Sequence, residues 1–409
     1  MFYRRIWVYG NARIPRTGAV LFIANHPKSF MDASLVACFQ HRVLNTLIRG
    51  DMFDKRWLRP LLRAVHQIPI FRRKDGFTNL KKNKGTFDAC YQVFARKEAL
   101  LIFPEASTMM VPYLRPLQKG AARLAIGTLE GEFSKELWVI PTGIFYAEPT
   151  RSRSDIAIHF GEPVSVSGWM EENRNCDDKI AALTEHFQEA MEKCVVSARQ
   201  EGHDVLFYRL LGMLEPVLLP FTRPGLIRED MPWKTLMHIA GNFSAMDRNE
   251  LDQLEAQLAA EGDPFVCGRS LQMALFRSPL FRLAFLCGAL LTFAGSLAAI
   301  VVYGLPLLLA RAIARKAMKH VEFYAPVRLA ASMIFHLVVT LAIGAYIGVL
   351  IGFWGALVAV AMLQMSLLCW CAFADVSKYL HFACRRQFIH RSSALIRLRN
   401  SLAERFSKN

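Results

Sequence analysis

The run AVLFIANHPKSFMD, residues 19–32, decides how the N-terminal half of this chain is read. Ala19 to Ile23 is a short apolar run closed by Asn25-His26-Pro27, the pattern of a buried strand entering a turn. Pro27 suits the first turn of a helix, and 32–40 continues as one. His26 thus stands at a strand end, held by a rigid layer yet projecting into a crevice. Asp32 follows six positions later. On an ideal helix the two would lie about 120° apart, so they meet only if the chain turns between them. A His–Asp pair is the minimum for general-base catalysis: the carboxylate holds one imidazole nitrogen as N–H and leaves the other free to take a proton from a hydroxyl. By itself such a spacing more often marks a helix cap and a surface charge.

Working outward, VHQIPIF (65–71), ALLIF (99–103), LWVIP (137–141) and IAIHF (156–160) are further strand candidates. Helical stretches at 79–97 and 120–130 lie between them. Strands alternating with helices predict an α/β domain, a central sheet flanked by helices, over about residues 1–168. The strand ends then supply partners for His26. Arg72 and Arg73 lie just past one strand and Glu105 just past another; Lys119 and Arg123 surround a helix start, and VIPTG (139–143) ends the next strand. Cationic side chains near a helix N-terminus suit a phosphate monoester. Each is singly more often a solvated surface charge. Gathered at one edge of a sheet, they outline a base, a carboxylate and a cationic cradle.

The chain has 409 residues, 50 Lys+Arg against 34 Asp+Glu and hence a formal charge of +16, and 53% of it is hydrophobic. That apolar share excludes a disordered chain or a nucleic-acid-binding tail. The charge clusters beside apolar runs instead of forming a stripe with stacking aromatics, which also speaks against nucleic acid. Positive charge together with positive mean hydropathy points to a membrane protein with a basic face toward anionic lipid or a phosphorylated substrate. Nine scattered cysteines without a CxxC support neither a disulfide framework nor a zinc site, and MFYRRIWVYG lacks the apolar core of a signal peptide. A reducing compartment is expected for the soluble part.

The C-terminal third fits a bilayer. Residues 283–310 and 329–374 contain no Asp, Glu, Lys or Arg. About 20 residues cross a hydrocarbon core, whereas 329–374 as one helix would reach roughly 69 Å. It therefore folds back, with Gly352-Phe353-Trp354-Gly355 as the turn of a hairpin. The first run would reach roughly 42 Å, enough for one tilted span. Its basic flanks argue otherwise: Arg277 and Arg282 precede it, Arg311, Arg315, Lys316 and Lys319 follow it, and another basic set follows the hairpin. By the positive-inside tendency all three flanks belong on the cytoplasmic face. An even number of crossings follows, and with it a re-entrant pair over 283–310 broken near Gly304-Leu305-Pro306. The expected organisation is 1–168, a helical connector at 169–282, a membrane region at 283–376 and a basic tail at 377–409. In the connector, 177–200 and 247–261 are amphipathic, while Phe207, Leu210, Leu211, Met213 and Leu214 face either the sheet or the membrane. The tail is either an amphipathic helix on headgroups or a solvated helix that sets topology.

Four blocks now stand in order: Asn25 to Asp32, Ile68-Pro-Ile-Phe-Arg72, Phe103-Pro-Glu105 and Val139-Ile-Pro141, with Leu117-Gln-Lys-Gly-Ala-Ala-Arg123 and Phe160-Gly-Glu-Pro163 between and after. In these the sequence resembles the glycerol-phosphate/lysophospholipid acyltransferase superfamily over about residues 1–170. Its helical continuation and hydrophobic C-terminal part are similar to the branch that acylates glycerol 3-phosphate or dihydroxyacetone phosphate.

The resemblance implies that fold, a mixed central sheet flanked by helices. It makes His26 the base on the acceptor hydroxyl and Asp32 its orienter. It makes Arg72 or Arg73 a phosphate ligand, Glu105 an acceptor-hydroxyl ligand and Pro141 a shaper of the acyl site. The implied reaction is direct attack on the thioester of acyl-CoA or an acyl carrier protein, in keeping with the lack of a GxSxG elbow, with no metal or redox cofactor. The implied products are lysophosphatidate from glycerol 3-phosphate or, in a sister reading, phosphatidate from lysophosphatidate. The implied setting is the cytoplasmic face of a bacterial inner membrane or the endoplasmic reticulum. A non-catalytic lipid-binding scaffold would be marked by loss of His26 or Asp32, and both are present. Two departures stand out: five residues separate His26 from Asp32 where four are commonest, and the usual Glu-Gly-Thr-Arg is here Glu105-Ala106-Ser107-Thr108. The missing arginine shifts phosphate binding onto Arg72, Arg73, Lys119 or Arg123, or indicates a different acceptor head group.

Overall fold

The computed structural model describes the chain apart from residues 1–2, 57, 72–82, 150–153, 201, 219–224, 228–230, 261–278, 318–320, 384–396, 399 and 407–409. Its strands are β1 (Arg5–Tyr9), β2 (Ala19–Ala24), β3 (Leu44–Arg49), β4 (Gln67–Ile70), β5 (Ala99–Ile102), β6 (Leu137–Tyr146), β7 (Asp155–Phe160), β8 (Val164–Ser165) and β9 (Gly225–Ile227). They join in one sheet of order β4-β3-β5-β2-β6-β7-β1-β9, with β8 alongside β6. The run from β4 to β6 is parallel, β7 is antiparallel to β6, and β1 and β9 run parallel to β7. The expected mixed α/β sheet is thus present. β1, β3 and β9 were not legible in the sequence, and β6 runs past Pro141 to Tyr146.

Every residue of β2 is buried, as in a central parallel strand covered on both faces. Alternation divides it: Val20 and Phe22 meet Met31, Leu35 and Val36 of α1 (Phe30–Phe39), while Leu21 and Ile23 face the other way. There they meet Val93 and Phe94 of α3 (Asn83–Ala95), Leu124 and Ala125 of α4 (Gly120–Glu130), and Leu183 and Phe187 of α6 (Lys179–Glu192). The short α2 (Arg59–Ala64) leads into β4, and α5 (Val166–Glu172) follows β8.

The segment expected to be a separate connector is part of this domain. It supplies β9 and a layer made of α7 (Asp204–Leu218), α8 (Met231–Ser244) and α9 (Arg248–Ala260). Phe207, Leu210, Leu211, Met213 and Leu214 face the sheet, packed with Trp7, Tyr9 and Phe145. Each such apolar side chain contributes about 1.5–3 kcal/mol when fully buried, which is why the layer docks. The described end of the basic tail, 400–406, is helical and places Leu402 and Phe406 in the same core. That part docks on the domain through these two side chains.

Among the described residues, two helices are long and apolar enough to cross a membrane, with candidate spans Phe285–Lys316 and Pro326–Ser377. They belong to α10 (Pro279–Ala317) and α11 (Val321–Ala383). The re-entrant break expected over 283–310 is absent, because α10 continues through Pro306 as one helix. An interior proline removes one hydrogen bond, a loss that long apolar helices tolerate where neighbours pack beside them. The hairpin is present: α11 reverses at Gly352, at φ 83, so that Gly344 lies against Val360 and Gly348 against Ala356. Only glycine adopts that φ at no steric cost. One continuous helix plus two arms gives three apolar lengths, where a re-entrant pair and a hairpin would give four. Tyr303 of α10 hydrogen-bonds Thr340 on one arm at 2.7 Å. On the other, the Ser366 hydroxyl donates to Gly295 O at 2.7 Å and accepts from Ala299 N at 2.8 Å. Small residues and hydroxyls at such seams let helices approach closely without a hydrophobic drive. Outward faces are bare, Val349 being 87% and Val301 81% exposed.

Candidate active site

Register brings the first two site residues together. Ile23 of β2 is level with Ile102 of β5, so three residues beyond that rung on each chain segment His26 stands beside Glu105. The His26 backbone N–H donates to Glu105 Oε2 at 3.0 Å, and the imidazole stacks on Phe103 with centroids 3.9 Å apart. Asn25 extends the sheet past its last rung: its side chain donates to Ile144 O at 3.0 Å and accepts from Ile144 N at 2.7 Å.

The chain then turns, as the His26–Asp32 spacing required. Ser29 takes φ 56, ψ −138, a conformation favoured only by glycine. This swings Asp32, fully buried in the first turn of α1, back beneath His26. His26 Nδ1 lies 2.9 Å from Asp32 Oδ2. The same oxygen accepts from Lys28 N at 2.7 Å, and Oδ1 accepts from the Tyr146 hydroxyl at 2.6 Å. Burial, the Asp32 charge and the neighbouring Tyr3 hold the Tyr146 phenol well above its ordinary range, so it stays a donor. With an ionised carboxylate as acceptor, Nδ1 carries the proton and Nε2 presents a lone pair. Among the described residues no hydrogen bond reaches Nε2, and the His26 side chain is 18% exposed. A bare, partly open ring nitrogen backed by a buried carboxylate can accept a proton from a substrate hydroxyl.

Glu105 is held by a residue that sequence reasoning passed over. Arg115 N donates to Oε1 at 3.0 Å and Arg115 Nη2 to Oε2 at 2.8 Å. The guanidinium also donates to Ser107 Oγ at 2.7 Å and to Ser107 O. Arg115 thus brings a positive charge to the block whose usual arginine is missing. It lies in LRPLQKGAAR, from which Lys119 and Arg123 looked the better candidates for their closeness to a helix start. Ala106 has φ 60, at the position where the resemblance has glycine. Tyr146 was missed because β6 was read as ending at Pro141.

Other expected residues are placed elsewhere. Arg72 and Arg73 lie outside the described residues. Lys119 Nζ is 3.2 Å from Asp178 on an exposed surface, and Arg123 is exposed on α4. Pro141 sits within β6 opposite Ile23 and lines a cavity of about 640 Å³ shared with Tyr9, His159, Cys194 and Trp233, to which His26, Asp32 and Glu105 do not contribute. Among the described residues no group of three or more His, Cys, Asp or Glu could hold a metal ion.

Residues 5–144 match the model of the protein family described as Acyltransferase. The chain is 30% identical over 86 residues to glycerol-3-phosphate O-acyltransferase 2 of Saccharomyces cerevisiae, a match covering 21% of this chain and 12% of that protein. It is 28% identical over 76 residues to glycerol-3-phosphate O-acyltransferase 1 of the same yeast, covering 19% and 10%. The chain therefore spans only about a tenth of the length of these curated relatives. A crystal structure of the 1-acyl-sn-glycerophosphate (LPA) acyltransferase PlsC from Thermotoga maritima superposes with a TM-score of 0.36 at 14% identity, over 47% of this chain and 71% of that one.

Proposed function

We propose that the chain, whose residues 5–144 match the Acyltransferase family model, is a membrane-bound O-acyltransferase of the glycerol-phosphate/lysophospholipid acyltransferase superfamily converting glycerol 3-phosphate to lysophosphatidate. The observation that carries the reading is the 2.9 Å His26–Asp32 contact with Nε2 left open at the sheet edge. In the proposed step Nε2 takes the proton of the acceptor hydroxyl while its oxygen attacks the thioester carbonyl of acyl-CoA or an acyl carrier protein. The tetrahedral intermediate collapses with cleavage of the C–S bond, and the departing thiolate takes the proton from His26. Asp32 holds the ring and offsets the transient imidazolium charge. Glu105, clamped by Arg115, orients the acceptor, and the phosphate falls to cationic side chains including Arg72 and Arg73. No resident cofactor enters these steps.

A second acceptor has an observation in its favour. Leu329, near the start of α11, packs on the same core as Met31 and Leu35 of α1, so an apolar helix adjoins the wall that carries Asp32. A lysophosphatidate acceptor, yielding phosphatidate, would use such a seam. A non-catalytic lipid-binding role has no comparable support.

Purified full-length protein in detergent, given radiolabelled glycerol 3-phosphate or lysophosphatidate with acyl-CoA, decides among these. Labelled lysophosphatidate that disappears in a folded His26→Ala variant is expected. Product from lysophosphatidate only would establish the second acceptor. Full turnover by His26→Ala would overturn the mechanism.

A further inference from the structure

Beneath the His26–Asp32 pair lies a cation that the proposed chemistry does not use. Lys28 sits in the turn between the two residues with its side chain fully buried. Its Nζ has no hydrogen-bond partner among the described residues. It lies 4.5 Å from the ring centroid of Tyr146 and 5.8 Å from that of Tyr3. An ammonium removed from water needs compensation, and aromatic faces supply part of it. The two ends of the residue act on one carboxylate: the Lys28 backbone N–H donates to Asp32 Oδ2, the oxygen facing His26, while the ring beneath Nζ belongs to the tyrosine that donates to Oδ1.

We propose that Lys28 is a positioning residue for the transfer reaction: its side chain seats Tyr146 under Asp32, and its charge, acting through Asp32, sets the proton affinity of His26. This rests on the proposed role of His26 as the base. A positive charge next to Asp32 offsets part of the carboxylate's pull on the imidazole and makes His26 a weaker base; loss of that charge makes it a stronger one. The groups facing Lys28 are the charged Asp32 on α1 and Arg328 near the start of α11, and the titratable but neutral phenols of Tyr146 on β6 and Tyr3 before β1. Burial disfavours the ammonium, Asp32 favours it, and the Arg328 charge disfavours it again; the balance brings Lys28 down to about 7. The dyad therefore has a charge beside it that changes near neutral pH, and its source is the loop that links the two catalytic side chains.

The test uses the full chain in detergent with selectively labelled histidine. The pH at which the His26 ring resonance titrates is followed by NMR, with His26→Ala for assignment, next to the pH profile of kcat/KM with glycerol 3-phosphate and acyl-CoA. Lys28→Met should move the His26 titration and the acidic limb together to higher pH by about one unit, the scale of a nearby partly buried charge. Lys28→Arg, which keeps the charge, should leave both in place. If Lys28→Met does not fold, Lys28→Gln is the neutral variant compared with Lys28→Arg. An unmoved His26 titration in a folded neutral variant, whatever the activity, would overturn the proposal. A moved titration in a protein with no transferase activity would support the coupling and sink the reaction assignment instead.

Discussion

The hydroxyl of Tyr146 donates a 2.6 Å hydrogen bond to Oδ1 of Asp32 across 114 residues of sequence. Asp32 is therefore held on both oxygens, by a strand from one direction and by the His26 turn from the other. A carboxylate so fixed can orient an imidazole without reorganising during the reaction.

Tyr146→Phe removes one donor from a buried charge and keeps the ring. A hydrogen bond to a charged group is worth about 1.5–3 kcal/mol, so kcat for acyl transfer should fall about 10- to 100-fold. The KM for the acceptor should stay near wild type, because Tyr146 touches Asp32 and not the substrate. Steady-state kinetics at saturating thioester measure the split.

Arg115→Met strips Glu105 of its clamp and leaves a buried carboxylate with the His26 and Arg115 backbone N–H groups. Breaking one side of a buried pair costs about 3–5 kcal/mol, to be read as a lower thermal midpoint. Arg115→Lys should recover only part of it, since one ammonium cannot reach both Glu105 and Ser107 as the planar fork does.

Asp155→Asn tests what fastens β1 to β7. Arg4 donates to Asp155 through Nε at 3.0 Å and Nη2 at 2.6 Å, and Arg5 adds a further bond. Burial alone would raise the Asp155 carboxyl, but the charges of Arg5 and Arg4 and their hydrogen bonds hold it well below its usual range. Its contribution is thus complete above the unfolded value near 4 and fades as pH falls below that. The variant should lose about 3–5 kcal/mol at pH 7 and show a weaker acid dependence of its thermal midpoint between about pH 4 and 2.

Lys28→Met should also change stability with pH, because it removes a burial penalty that depends on the protonation of the side chain. The folded value near 7 lies below the ordinary 10.5, so the unfolded chain binds more protons between those two values. The burial penalty is complete below pH 7 and relieved as pH rises toward 10.5. The gain in thermal midpoint from Lys28→Met should be larger at pH 6 than at pH 9.5. Equal gains at both would refute the assignment.

Ala106→Gly relieves a backbone at φ 60. A left-handed non-glycine residue costs about 1–2 kcal/mol, so the variant should melt a few degrees higher by calorimetry.

The β2, β5 and β6 blocks were legible because each is a short apolar run stopped by proline or polar residues; His26 and Glu105 are legible at such stops, and Asp32 by its spacing from His26. β3 was harder: LNTLIR mixes Asn45 and Thr46 into its run, yet both are buried. β9 has three residues, too few to show a period. Lys119 and Arg123 resembled site residues because proximity to a helix start carries no information on direction. The structure turns Lys119 to Asp178 and leaves Arg123 in solvent.

The amino-acid sequence alone specified alternating strands and helices, a histidine and a carboxylate at strand ends with a second carboxylate six residues past the histidine, and a glycine-centred reversal between two apolar arms. These are local properties, set by burial period and by turn chemistry. Only the folded chain decided that Asp32 turns back to His26 through Ser29, that Tyr146 and Lys28 close around it, and that Arg115 clamps Glu105. It also decided that 204–260 covers the sheet and that Pro306 does not break its helix. Those outcomes depend on strand order and register and on neighbours far away in sequence, because a side chain's partner is chosen by which surfaces are buried together.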